Sequence, residues 1–364
     1  MRVALVHDWL LTMGGAERVL EAIAEMYPDA PIFSLVANPA ALSPALAARV
    51  HIESRLAQLP HARRWYRRYL PLMPWAVEHL PLGDFDLVLS DCSAVSKGVR
   101  PRPGAVHVSY LHTPMRYLWD LESSYRQEAG PLERLAMSAT FPRLRRWDFA
   151  AAQRPTQLMA NSQAVAARIQ AHYGRPSVVV PPPVDVERFS PNEPRGGYHL
   201  VLSRLVAYKR FDLAVDAANR LQLPLLVAGE GPERERLERL AGPTVKLVGR
   251  PSDEEAARLL ERAEALWLPG EEDFGIVMAE ALAAGTPVVA FGAGGARDIV
   301  EDGATGVLFF EQTAESLIEA LQRLAGLPID RRQLRQAALR FGVEHFRARY
   351  QAVVADALAG RGSA

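Results

Sequence analysis

"EEDFGIVMAEALAAGTPVV", Glu271 to Val289, passes from a loop into a helix and then a strand. Two carboxylates, Glu272 and Glu280, are separated by seven residues, with Phe274-Gly275 between them. The run from Ile276 is rich in helix formers, and Gly285-Thr286-Pro287 ends it before a β-branched stretch. The backbone N–H groups from Gly275 to Val277 then lack intrahelical partners, and a glycine lets an anion approach closely, so the helix start is a ready phosphate site. Glu280, little more than one turn in, is placed to accept from a ribose. Glu272, on the strand-side lip, is placed to accept from a sugar beyond the phosphates. Taken singly, each acid is also readable as an ordinary solvated residue.

The same alternation of apolar run and helical pattern fills the chain, which predicts βαβ units and parallel sheets. Strand patterns fall at 2–8, 86–90, 105–112, 156–162 and 177–183, then at 198–204, 223–231, 245–250, 265–270, 286–292 and 306–310. Helical patterns lie at 14–26, 163–172, 212–221, 232–240, 253–264, 276–284 and 313–325. The polar, Pro- and Gly-bearing "SPNEPRGGYH" (190–199) marks the best boundary. The expected plan is a domain over 1–190, a linker over 191–198, a second domain over 199–340, and a C-terminal helix over 341–364 that packs back toward the first domain. Residues 361–364 are expected to fray.

Composition narrows the function. Lys+Arg and Asp+Glu both number 42, so no net charge favours bulk nucleic-acid binding. A single cysteine, Cys92, excludes an intramolecular disulfide and fits a reducing compartment. The N-terminal apolar run is broken by His7 and Asp8, too early for a signal-peptide core, and no apolar run is long enough to span a bilayer. A cytoplasmic location is expected, with peripheral contact at the inner face of the cell membrane as an open alternative.

"EDFGIVMAEA" resembles the E-x7-E signature of retaining glycosyltransferases of the family 4 type, the glycosyl transferases group 1. Asp273 stands where that family usually has glycine. "VLSRLVAYKRFDLAVDA" (201–217) is similar to the family's G-R-L-x-x-x-K-G-x-D segment, with its Arg and Lys on Arg204 and Lys209 and with Arg210 in place of glycine. The units at 225–238, 245–269 and 292–309 follow in the family's order. The resemblance implies an α/β GT-B fold: two Rossmann-like, doubly wound parallel-sheet domains facing across a cleft. It implies a nucleotide diphosphate sugar held by Arg204, Lys209, Arg250, Glu272, Phe274, Gly275, Ile276 and Glu280. Two cations beside a departing diphosphate would offset its charge without a metal.

The first half also carries the likeness. Gly14-Gly15 at a helix start, with Glu17 in the first turn, resembles the family's glycine-rich first loop, whose backbone approaches the donor phosphates. "SYLHTPMRYLWD" (109–120) resembles a segment of the subgroup of mannosyltransferases of O-antigen and other polysaccharide pathways. In that resemblance His112, at the end of a strand, contacts the donor sugar; a buried, satisfied histidine is the plainer alternative. Ser162 reads as a helix N-cap.

Other motifs are weaker. Asp84-Phe85-Asp86 is formally a D-x-D, but it leads into a buried-looking strand, and no metal is expected there. "GAGGAR" and "GEGPER" place Arg297 and Arg234 where the dinucleotide fingerprint needs its third glycine. "HARRWYRRYLPLMPWAVEHLP" (61–81) interleaves four arginines with aromatics. It reads equally as a surface for an anionic bilayer or as a helix with aromatics inward and arginines solvated.

The expected activity is transfer of a hexose, with retention, to a hydroxyl of a glycan or a polyprenyl-diphosphate-linked saccharide. No cofactor is expected beyond the donor substrate, for which GDP-mannose leads and a UDP-sugar is the alternative. A nucleotide-sugar epimerase of the same fold and a non-catalytic nucleotide-sugar-binding protein are the competing functions.

Overall fold

The computed structural model describes residues 1–360; the fraying expected for 361–364 lies outside the described residues. The chain divides into two compact units, Met1–Pro181 with Phe346–Ala364, and Pro182–His345.

The first unit holds a seven-stranded parallel sheet, β1 (Val3–His7), β2 (Ile32–Ser34), β3 (His51–Glu53), β4 (Leu87–Cys92), β5 (Val106–Leu111), β6 (Gln157–Ala160) and β7 (Val178–Val179), in the order β3-β2-β1-β4-β5-β6-β7. The second holds six parallel strands, β8 (His199–Leu202), β9 (Leu225–Ala228), β10 (Val245–Gly249), β11 (Leu266–Leu268), β12 (Val288–Phe291) and β13 (Gly306–Phe309), in the order β10-β9-β8-β11-β12-β13. Two parallel α/β sheets are what the alternating pattern predicts. β4 and β5 are buried at every position, the mark of strands covered on both faces.

Among the helices are α1 (Gly15–Met26), α2 (Pro131–Ala152), α3 (Gln163–Tyr173), α4 (Phe211–Leu221), α5 (Ile276–Ala283) and α6 (Val343–Ala359). Ser162 caps α3, its hydroxyl accepting from Val165 N at 3.1 Å. On α6, Phe346, Tyr350, Val353, Val354 and Ala357 are buried in the core built on β1, β5 and α1.

Residues 182–198 belong to the second unit. Val184 N donates to Phe341 O at 2.9 Å. Arg195 donates to Thr286 Oγ1 at 2.8 Å and Gly285 O at 2.9 Å, so this polar, Pro-containing stretch is tied to its own sheet.

Three elements fall outside the strand and helix patterns read from the sequence. β2 and β3 are three residues each, and β3, His51–Glu53, holds a single apolar residue. α2 is long, but it contains Pro142 and buries only Phe141, Leu144, Asp148, Ala151 and Ala152, all toward its C-terminal end, so no continuous apolar stripe marks it. The stretch 61–81 is not one helix. It is a short helix Ala62–Trp65, a 3-10 segment Tyr66–Leu72 containing Pro71, and a helix Met73–Glu78.

Candidate functional site

In the second unit the strand order reverses between β8 and β11. Open parallel sheets bind ligands outside the carboxyl ends of their strands, at such a switch point. The loops after β8 and β11 meet there. Lys209 Nζ lies 2.8 Å from Glu272 Oε1, with the side chains only 12% and 14% exposed. Lys209 also donates to Ser203 Oγ. Burial alone would lower the Lys209 ammonium, but the Glu272 carboxylate outweighs it and holds it above the ordinary lysine range.

Backbone packing sets this pair. A Cβ on Gly270 would stand 2.4 Å from Lys209 Cα, so only glycine lets the two loops touch here. Glu272 O accepts from Gly295 N at 2.8 Å, fixing the second loop on the β12 side. Gly275 is the N-cap of α5 with φ 88, left-handed backbone that favours glycine, and no side chain caps the helix. The first N–H groups of α5 therefore point out of the helix end without an intrahelical partner.

Phe274 is buried and meets Phe341 edge-on at 5.6 Å, while Ile276 and Glu280 are half-buried on α5. Arg204 directly follows Ser203, is exposed, and has no ion pair among the described residues. Arg210, where the family resemblance leads one to expect glycine, keeps a left-handed φ of 52. Lys209, Glu272, Phe274, Gly275 and Ile276 are thus brought to one switch point. Arg250 is not: it follows β10, the edge strand, with β9 between that strand and β8.

The first unit has its own switch point, between β1 and β4. Gly14 is the N-cap of α1 and Gly15 its first residue. His112 follows β5, and its Nε2 makes a 2.6 Å hydrogen bond to Asp91 Oδ1. Asp91 Oδ2 lies 2.9 Å from His7 Nδ1, a close ion pair rather than an aligned hydrogen bond. His7 Nε2 in turn lies 3.7 Å from Glu17 Oε1 on α1. His7 and Asp91 are Cα partners across the β1–β4 ladder, and both are buried. Burial would lower the His7 imidazolium, yet the Asp91 and Glu17 carboxylates raise it to about 10. Burial would likewise raise Asp91, but His112 and His7 hold it below the ordinary carboxylate range.

Beside this row, Asp8 accepts four backbone N–H groups, from Ser93, Ala94, Val95 and Ser96, at 2.7 to 2.8 Å. Sequence reading passed over His7, Asp8 and Asp91 as site residues. The signal was present: each is a polar residue at the carboxyl end of an apolar strand, where α/β sheets hold their ligands. Asp84 and Asp86 lie at the opposite, amino end of β4. Asp86 accepts from Arg2 N at 2.8 Å and pairs with Arg102.

The described residues hold no cluster of His, Cys, Asp or Glu fit for a metal ion. No helix among them is long and apolar enough to cross a membrane. In 61–81, Tyr66 and Tyr69 pack against the core, whereas Trp65, Leu72 and Trp75 are exposed. Arg64, Arg67 and Arg68 are exposed beside them, Arg67 over the Tyr66 ring and Arg68 over the Trp65 ring, with no carboxylate partner among the described residues.

Residues 13–188 match the family described as Glycosyltransferase Family 4, and residues 185–341 that described as Glycosyl transferases group 1. The chain has the GT-B fold, with a glycosyltransferase family model matching each of its halves. Over nearly its whole length this GT-B chain superposes on solved structures. It covers 98% of itself and 100% of Anabaena HepE in complex with UDP and glucose (TM-score 0.70, 19% identity). It covers 99% of itself and 100% of the sucrose-phosphate synthase of Thermosynechococcus elongatus (TM-score 0.73, 18% identity). Among curated relatives, a D-inositol 3-phosphate glycosyltransferase of Geodermatophilus obscurus is 32% identical over 197 residues, 42% of this chain and 41% of the relative. A glycogen synthase of Pseudomonas syringae pv. tomato is 32% identical over 146 residues, 38% of this chain and 30% of the relative. The GT-B chain thus spans less than half the length of these two curated relatives.

Proposed function

We propose that this GT-B chain transfers a hexosyl group from a nucleotide diphosphate sugar to a hydroxyl of a glycan or lipid-linked saccharide, with retention and without a metal. The Lys209–Glu272 pair beside the uncapped start of α5 carries this reading. A buried cation and a row of outward N–H groups fit a diphosphate, with Arg204 able to add a second cation from solvent. Glu272, held by Lys209 and by its backbone bond to Gly295, would address the sugar, and Glu280 the ribose. In a front-face reaction the leaving phosphate oxygen takes the acceptor proton, so the protein's part is positioning and charge stabilisation.

GDP-mannose leads as donor on the likeness of residues 109–120 to a mannosyltransferase subgroup. HepE, crystallised with UDP and glucose, favours a UDP-sugar as the second reading. Thermal unfolding with a panel of nucleotide sugars tests both, because a bound donor stabilises by mass action. Stabilisation by one donor and its turnover with an oligosaccharide acceptor are the expected result. No stabilisation by any donor, or donor hydrolysis and inversion without acceptor, would overturn the transferase reading.

The split at 61–81, tyrosines inward and tryptophans outward beside Arg64, Arg67 and Arg68, which have no carboxylate partner among the described residues, supports contact with an anionic bilayer, where a lipid-linked acceptor would lie. Co-sedimentation with vesicles of anionic phospholipid, absent with zwitterionic vesicles and lost in R64E/R67E/R68E, is expected. Equal recovery with both vesicle types would remove this contact.

A further inference from the structure

The row His112–Asp91–His7–Glu17 spans the carboxyl ends of three neighbouring strands, yet the proposed donor site in the second unit uses none of its buried members. Its geometry fixes which ring nitrogen of a neutral His112 carries the proton. Asp91 is ionised, and an ionised carboxylate only accepts hydrogen bonds. The 2.6 Å bond from His112 Nε2 therefore carries its proton on Nε2. The His112 backbone is fixed on both sides: its N–H donates to Cys92 O at 2.9 Å, and its carbonyl accepts from Asn161 Nδ2 at 2.9 Å. Tyr110 stands edge-on to the ring at 5.3 Å. Nδ1 is the one ring nitrogen without a partner among the described residues, on a side chain 14% exposed.

We propose that Asp91 is a positioning residue that locks His112 in its Nε2–H tautomer and leaves the Nδ1 lone pair to accept a hydrogen bond from a carbohydrate hydroxyl, with His7 holding the second oxygen of Asp91. The inference deepens the transferase reading and rests on it for the identity of the hydroxyl.

Three groups make the assignment self-consistent. His7 sits between two carboxylates, Asp91 from β4 and Glu17 from α1, and an imidazolium with N–H on both nitrogens suits both neighbours. Without that cation, a buried Asp91 would favour its neutral form and could donate to His112, reversing the tautomer. Tyr110 does not compete, because its hydroxyl donates to Val180 O at 2.9 Å. Tyr350 of α6 meets the Tyr110 ring at a centroid distance of 6.4 Å. A tautomer fixed by a second residue is the usual device by which a histidine presents a chosen nitrogen to a ligand.

The test uses the full chain labelled with 15N-histidine. In the wild type, the His112 resonances should show a protonated Nε2 and an unprotonated Nδ1. In D91N, whose amide can both donate and accept, the two tautomers should exchange. A wild-type His112 protonated on Nδ1 overturns the proposal. That spectrum needs no turnover, so it decides the tautomer even if no donor is ever transferred or D91N does not fold.

Kinetics supply the second arm. D91N should lower kcat/KM about 10-fold or more, roughly one lost hydrogen bond at a partly buried group. Added to H112A it should cost nothing further, because Asp91 acts through His112. Additive losses in the double variant would overturn the positioning role. Stabilisation by nucleoside diphosphate should persist in D91N, since the nucleotide is assigned to the second unit; its loss would also count against the proposal.

Discussion

Lys209 and Glu272 form an ion pair at the switch point of the second sheet, each carried by a loop that the other loop's backbone contacts. The two side chains that the sequence assigns to opposite ends of a donor molecule, diphosphate and sugar, thus touch one another directly. A donor diphosphate bound as proposed would have to share or exchange the Lys209 ammonium between a carboxylate and a phosphate.

Lys209→Ala and Glu272→Ala should each lower kcat by about 10²- to 10³-fold, the scale of removing one group that stabilises developing charge. Each should also lower stability by about 1–3 kcal/mol, because a largely buried partner is left unmatched. The double variant should recover part of that stability and none of the turnover. Urea unfolding and steady-state rates on the same preparations check it, and normal turnover in either single variant would dissolve the diphosphate assignment.

Gly270→Ala tests whether backbone contact places the lysine. Its new Cβ must displace the backbone of Lys209, at a cost of about 1–3 kcal/mol. Donor-induced stabilisation should weaken several-fold while circular dichroism is retained. Unchanged donor affinity would show that the loop has slack.

Two buried histidines should give stability opposite pH limbs. His7, held protonated at about 10 against an ordinary 6.5, contributes stability fully present below pH 6.5 and lost as pH rises through about 10. His107 is pushed down to about 3, first by burial and then by Arg154 and Arg175. Its Nε2 lies 2.8 Å from Ser90 Oγ on the neighbouring strand. Its contribution is fully present above pH 6.5 and falls as pH drops toward 3. Melting temperatures should therefore flatten on the alkaline side in His7→Gln and on the acid side in His107→Gln. Identical profiles in both variants would refute the assignment.

The buried pair Lys97–Asp148 should be the most sensitive structural site in the first unit. Asp148 also accepts from Trp119 Nε1 at 2.8 Å and from Tyr173 Oη at 2.7 Å, linking the 109–120 segment to α2 and α3. Lys97→Met should cost about 3–5 kcal/mol in chemical denaturation, since it strands a buried carboxylate. A loss under about 1 kcal/mol would mean that Trp119 and Tyr173 alone satisfy Asp148.

The parallel sheets were readable because long apolar strands alternate with capped helices, and all six strands of the second unit leave that mark. β3 escaped because His51–Glu53 holds a single apolar residue and is only half-buried, β2 was passed over although all three of its residues are buried, and α2 escaped because its first ten residues bury no side chain. At the site, Lys209 and Glu272 were legible through the spacing of ordered motifs. His7, Asp8 and Asp91 were not, because their significance arises only when β1 pairs with β4, strands more than eighty residues apart. A residue whose partner is set by strand register carries little local signal.

The first unit is assembled from segments on both sides of the second. Residues 182–345 form an unbroken segment that can complete its core as soon as it leaves the ribosome. The core on β1, β5 and α1 must instead wait for Phe346, Tyr350, Val353 and Val354, which are made only after the whole second unit. The earlier-synthesised domain is therefore the later one to finish, with apolar β1 and β5 surface uncovered in the interval. Deleting α6, although it is remote in sequence from His112, should leave the first unit aggregation-prone during synthesis while the second still folds.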